Sequence, residues 1–159
     1  MVRGLAATLV AATLLSACGG GDSTADETTT TTEATTTTLD PAAEKDAVGA
    51  LLTEFFALAG QGDLAGAAAL IENGDAALPR LTHCEELVKG VTIEMTSVEL
   101  TDAEHATAIF AILKDDAVLL AESGGGAVKI DGKWLVSENT FLSLYDAAKD
   151  SCTGPPPPA

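Results

Sequence analysis

The chain has 159 residues, 47% of them hydrophobic and 20% charged, which suits one globular domain with extensions. Its 8 Lys and Arg stand against 24 Asp and Glu, a formal net charge of −16. That balance argues against nucleic acid as a partner, which needs basic side chains to displace phosphate counterions. It also disfavours adsorption to anionic headgroups, so membrane contact has to come from something other than surface charge.

The N-terminus supplies that something. Arg3 gives a short positive start, and Gly4 to Leu15 is an uncharged apolar run. At about 12 residues it is too short to span a bilayer of about 30 Å as a helix, but it suits a signal peptide. It ends in Leu15-Ser16-Ala17-Cys18, followed by Gly19-Gly20-Gly21, and this resembles the lipobox of bacterial lipoproteins. Ser16 and Ala17 are small enough for an extended backbone to enter a peptidase cleft. Cys18 is the soft nucleophile that would take a diacylglyceryl group as a thioether before cleavage between Ala17 and Cys18. Two acyl chains exceed the threshold for stable anchoring, at about 0.8 kcal/mol per buried methylene. The expected organisation is a signal peptide over 1–17 and a lipidated tether over 18–40, with the chain held on the extracytoplasmic face of a membrane.

From Asp22 to Leu39 the tether is mostly Thr, with Asp26, Glu27 and Glu33 interspersed. Such a stretch has too little apolar surface to offset the entropy of ordering, so it is expected to be disordered. About 20 residues reach roughly 65 Å extended and about 25 Å as a flexible coil.

The folded domain is expected over 41–152. Asp40 is a helix cap and Pro41 suits a first turn. Val48, Leu51, Leu52, Phe55, Phe56 and Ala59 follow at helical spacing, with Gly60 as the expected stop. Asp63 caps a short second helix through Leu64, Ala68, Leu70 and Ile71 that ends near Gly74. Pro79 is expected to break the next segment. Thr82-His83-Cys84-Glu85 has the form of a capping box, opening a helical turn that Gly90 closes.

The period then changes to two. Val91, Ile93 and Met95 alternate with polar residues, and Val98 and Leu100 continue in the opposite phase, which places a bulge near Ser97. Thr101 to Glu104 reads as a turn, Thr107 to Leu113 as a second strand, and Asp115-Asp116 as another turn before Val118, Leu119 and Leu120. Gly124-Gly125-Gly126 precede a hairpin of Ala127 to Ile130, an Asp131-Gly132 turn, and Lys133 to Val136. Thr140 to Ala148 is a last amphipathic helix. Helices, then an antiparallel meander, then a helix define an α+β class with helices on one face of a curved sheet. Residues 153–159 form a Pro-rich tail, a short stiff polyproline extension.

Paired Phe55-Phe56 ahead of Gly62-Asp63-Leu64, the run Val128-Lys129-Ile130-Asp131-Gly132-Lys133-Trp134, then Val136-Ser137 and Thr140-Phe141 resemble the NTF2-like cone. More narrowly, they are similar to actinobacterial exported proteins grouped with the mycobacterial low-molecular-weight antigen. The resemblance implies an exported or lipid-anchored protein whose N-terminal helices pack on a curved antiparallel sheet. It implies no particular activity. A terminal helix where many relatives end in a strand leaves the strand order open.

Of the 3 Cys, acylation of Cys18 leaves Cys84 and Cys152 in an oxidising compartment. Their pairing would close a loop of about 69 residues, a contribution of roughly 4 kcal/mol in the chain-entropy model. Two free thiols or an intermolecular bridge are the alternatives.

No catalytic set stands out. His83 and His105 have no zinc-site spacing and read as surface or packing residues. A Cys84-His83 nucleophile would need a free thiol. Glu85-Glu86 and Asp115-Asp116 read as surface charges, and Gly124 to Gly126 lack the lysine and strand-to-helix setting of a phosphate loop. An isomerase or lyase needs a buried acid or base with an oxyanion donor, for which Tyr145, Trp134, His105 and one of the strand carboxylates are candidates that no spacing selects. Trp134 and Tyr145 are more simply core residues. No metal or cofactor is expected. The leading expectation is a non-enzymatic envelope lipoprotein that binds a protein or small apolar ligand. The alternatives are a small pocket enzyme and a structural component of an envelope assembly.

Overall fold

Asp40 opens the first helix as expected: its side chain accepts the amide hydrogen of Ala42 at 3.0 Å, with Pro41 in the first turn. The computed structural model describes residues 40–155 and 157, so the signal peptide and nearly all of the tether lie outside the described residues. Helix α1 spans Pro41–Gln61 and buries the whole stripe of Val48, Leu51, Leu52, Phe55, Phe56 and Ala59.

Gly60 is not the stop. The helix runs on to Gln61 and ends at Gly62, whose φ of 85° is the left-handed conformation that glycine adopts without a Cβ clash. Gly60 serves close packing instead, because a Cβ there would collide with the carbonyl oxygen of Val91. Its own carbonyl accepts the Gly90 amide at 2.9 Å.

Asp63 caps α2, Leu64–Ala68, through the Gly66 amide at 2.9 Å. This helix is shorter than the sequence pattern suggests. Leu70 and Ile71 leave it to pair with the sheet: Val136 donates to the Leu70 carbonyl at 2.8 Å, and Glu72 donates to the Val136 carbonyl at 2.9 Å. Gly74 begins α3, Gly74–His83, rather than ending α2, and Pro79 lies inside α3 rather than breaking it. The missing proline amide is tolerated because Ala77 and Leu81 bury on either side of it. The expected capping box does not form. Thr82 Oγ1 donates back to the Leu78 carbonyl at 2.9 Å, and α4, Glu85–Val88, starts with no side-chain cap. Lys114 reaches the far end of α4, where its Nζ donates to the carbonyls of Leu87 at 2.7 Å and Lys89 at 2.9 Å.

The strands are β1 Val91–Leu100, β2 His105–Lys114, β3 Ala117–Ile130 and β4 Lys133–Val136. They pair in the order β1-β2-β3-β4, every pair antiparallel, so the meander is simple. The register shifts between Met95 and Ser97, where the change of phase placed a bulge. Along β2, Ala106, Ala108, Phe110 and Ile112 bury while the residues between them are exposed or half-buried, so one face of the sheet forms the core. Asp131 and Gly132 make the tight hairpin turn with φ of 51° and 79°.

The sequence divides β3 into two segments, but the structure has one strand of 14 residues running through the glycines. A Cβ on Gly125 would lie 2.8 Å from Phe110 Cε1 and 3.2 Å from Thr140 Cγ2, so the absent side chain is what lets the last helix approach. That helix, α5, spans Glu138–Ala148 and is capped by Ser137, whose Oγ accepts the Thr140 amide at 3.3 Å. A single 3-10 turn, Lys149–Ser151, follows. The fold is therefore α+β, with helices on a four-stranded antiparallel sheet and a short C-terminal helix, as the element order implies. Phe110, Leu52, Val48 and Val136 are the most completely buried large side chains, and Phe110 meets Phe56 edge-on at 5.4 Å.

Candidate functional site

An apolar cavity of about 80 Å³ lies where α1, α3 and α5 converge. Phe55, Phe56, Leu81, Val91, Phe141 and Leu144 supply most of its wall, and Cys84 contributes from the turn between α3 and α4. Among its lining residues only Arg80 and Tyr145 carry ionisable groups. Both are engaged. Tyr145 Oη and His83 Nδ1 share a hydrogen bond of 2.8 Å, and Arg80 donates to the Ala76 carbonyl at 2.6 Å while lying 6.0 Å from the Tyr145 ring centroid. No carboxylate lines the cavity. The arrangement thus offers shape and apolar surface, with the Arg80 guanidinium and the Tyr145 hydroxyl as its ionisable groups.

Cys84 of the cavity wall is joined to Cys152 by a disulfide, which ties the α3–α4 junction to the segment after α5 over a sequence separation of 68. The Gly154 amide donates to the His83 carbonyl at 3.0 Å beside it. Free thiols and an intermolecular bridge are therefore not the arrangement seen. His83, Cys84 and Cys152 bring three potential metal ligands within 4.8 Å of one another. Both sulfurs are committed to each other, however, so neither is available as a thiolate.

The other candidates are scattered. His105 opens β2 and pairs through Nδ1 with Asp102 at 2.9 Å on an exposed turn. The Asp102 carboxyl is held below its usual range, first by the Glu104 amide and then by His105. Glu85 and Glu86 are exposed on α4, with Glu86 bonded to Lys89 at 3.0 Å. Asp115 and Asp116 form the β2–β3 turn with φ of 51° and 65°. Trp134 is buried in the core, as expected, whereas Tyr145 is half-buried at the cavity edge. Tyr145, Trp134 and His105 are not brought together around one pocket. Ala17 and Cys18 lie outside the described residues. No helix among the described residues is long and apolar enough to cross a membrane.

Sequence reasoning missed one polar cluster. Glu44 Oε2 accepts from Lys129 Nζ at 2.6 Å and from Trp134 Nε1 at 2.5 Å, and Lys129 Nζ lies 5.3 Å from the Trp134 ring centroid. Lys129, then Trp134, hold the Glu44 carboxyl below its usual range, against a smaller opposing effect of burial. Partners 85 and 90 residues apart leave no local signal. With its acceptor oxygen occupied twice, Glu44 fastens the start of α1 to the β3–β4 hairpin.

Fold and cavity together define a small α+β domain with an apolar cavity and one disulfide beside it. The chain belongs to the family of the low molecular weight antigen MTB12, C-terminal domain, whose pattern matches residues 40–152. No curated protein matches the chain. Among solved structures it is similar to an NTF-2 like protein of unknown function from Shewanella oneidensis MR-1, at 13% identity and a TM-score of 0.45. That match covers 58% of this chain and 98% of the other.

Proposed function

We propose that the domain is a non-enzymatic binding module, carried on an extracytoplasmic membrane face by lipid on Cys18. The observation that carries the non-enzymatic part is the cavity wall, which is apolar apart from two side chains already engaged with protein partners. Acid–base chemistry of the isomerase or lyase type needs a titrating group free to act on the substrate. The ionisable groups that line the cavity, Arg80 and Tyr145, already bond to protein partners. The anchoring part rests on the Leu15-Ser16-Ala17-Cys18 run and the Thr-rich stretch behind it.

Fractionation tests the anchor. The wild-type chain should sediment with membranes and the Cys18→Ala variant should appear in the soluble fraction. A Cys18→Ala variant that still sediments would sink the lipid anchor. For the binding role, the protein purified from its membrane should carry a partner or ligand in native mass spectrometry. Steady substrate turnover by the purified chain would instead favour the pocket enzyme.

A further inference from the structure

Three successive apolar residues of β3, Val118, Leu119 and Leu120, are 60%, 57% and 49% exposed. They lie on a part of β3 that is paired on one side only. β2 runs along β3 from Ala117 to Val128, whereas β4 reaches only Ala127 to Ile130 on the other side. The Gly126 carbonyl is taken by the Ser137 amide at 3.0 Å. From Ala117 to Gly125 the outer edge has no backbone partner among the described residues. That is about 30 Å of unpaired edge, interrupted by two register shifts against β2.

Exposed sheet edges are usually blunted by charges, prolines or bulges. β1 follows that rule: Glu94 and Glu99 are exposed along it, it bulges at Met95 to Ser97, and its apolar residues turn towards the core. The short β4 is covered by Leu70 to Glu72. The overhang of β3 also bulges, its register against β2 shifting between Phe110 and Ile112 and again between Ile112 and Leu113. Yet it carries its largest apolar side chains in solvent, with Glu122 its one charge and no lysine or proline between Ala117 and Gly125.

The charges beside this edge identify what fits it. Asp116 precedes it in the β2–β3 turn and Glu122 lies within it, on a chain of net charge −16, while Asp115 packs against Gly90. A second copy of this chain would bring equal acidity against it. We propose that the outer edge of β3, from Ala117 to Gly125, docks an extended segment of another protein by strand addition, and that this segment alternates apolar residues with Lys or Arg. Backbone hydrogen bonds complete the ladder, apolar side chains pack against the exposed apolar side chains on their own face of the sheet, and basic ones meet the acidic surface at Asp116 and Glu122. The inference deepens the binding-module reading and rests on it.

The test uses the full chain and a short synthetic peptide of alternating lysine and valine, with a lysine–proline peptide of equal charge as control. Binding is read by anisotropy, and amide exchange locates it. The lysine–valine peptide should bind and slow exchange at 117–125 by about tenfold, and the proline peptide, unable to donate to a ladder, should not. Val118→Lys and Leu119→Lys, both at exposed positions, should weaken binding about tenfold while Trp134 emission stays unchanged. Equal binding of both peptides would reduce the effect to bulk charge and overturn the inference. So would protection elsewhere, unaltered binding by the lysine variants, or occupation of the edge by a second copy in sedimentation. Such a failure is separable from failure of the binding-module reading, which turns on Cys18→Ala fractionation and on turnover.

Discussion

Glu44, in the first turn of α1, and Lys129, near the end of β3, meet at 2.6 Å across 85 residues of chain. Their side chains are only 16% and 12% exposed, and Trp134 Nε1 donates to the same carboxylate oxygen. Because the folded Glu44 carboxyl lies below its ordinary value of 4.5, its contribution is fully present above that pH. The contribution disappears as pH falls through the depressed folded value. Glu44→Gln should therefore lower the melting temperature by a constant amount at neutral pH, and the gap to wild type should close on acidification. A gap that widens below the ordinary value would contradict the ion pair. Scanning calorimetry across pH reads it directly.

Removing the Cys84–Cys152 bridge should be costly, because it closes a separation of 68 residues. The double change Cys84→Ala with Cys152→Ala is expected to lose about 4 kcal/mol of stability in the chain-entropy model. Denaturant unfolding measures this, with reduction of the wild-type chain as a matched control.

The glycines of β3 should respond in opposite directions. A Cβ on Gly124 meets nothing within 4 Å, so Gly124→Ala should stabilise by about 0.5 kcal/mol through the unfolded chain. Gly125→Ala drives a methyl group towards the Phe110 ring and Thr140, and should destabilise by about 1–3 kcal/mol. Equal effects at the two positions would refute close approach as the reason for Gly125.

Thr140 is the buried polar contact between α5 and β3. Its Oγ1 accepts the Gly126 amide at 2.7 Å and shares a hydrogen bond with Ser137 Oγ at 2.8 Å. Thr140→Val keeps the shape but strands that amide, at a cost of about 1–3 kcal/mol. Faster amide exchange should be confined at first to Gly126 and the start of α5.

Features that depend on a single element were legible in the sequence. The α1 stripe is buried residue for residue, Asp40 and Asp63 cap their helices, and Asp131-Gly132 makes the hairpin turn. Where one residue type serves two purposes, local reading failed. Gly60 and Gly125 resemble punctuation but exist because backbone or side chains from elsewhere come too close for a Cβ. Pro79 resembles a breaker, yet it lies inside α3, between the buried Ala77 and Leu81. The Tyr145–His83 bond spans 62 residues, and only the tertiary fold brings that pair to the edge of the cavity. The cysteine count, in contrast, pointed to Cys84 and Cys152, since arithmetic needs no geometry.

The central claim, a disulfide-bonded binding domain held to a membrane through Cys18, is tested most directly by intact mass spectrometry of the chain extracted from membranes without reduction. The account predicts a chain beginning at Cys18, heavier than its sequence by a diacylglyceryl group, with Cys84 and Cys152 refractory to alkylation. A chain that retains Met1, or begins at Cys18 with an unmodified thiol, would contradict it.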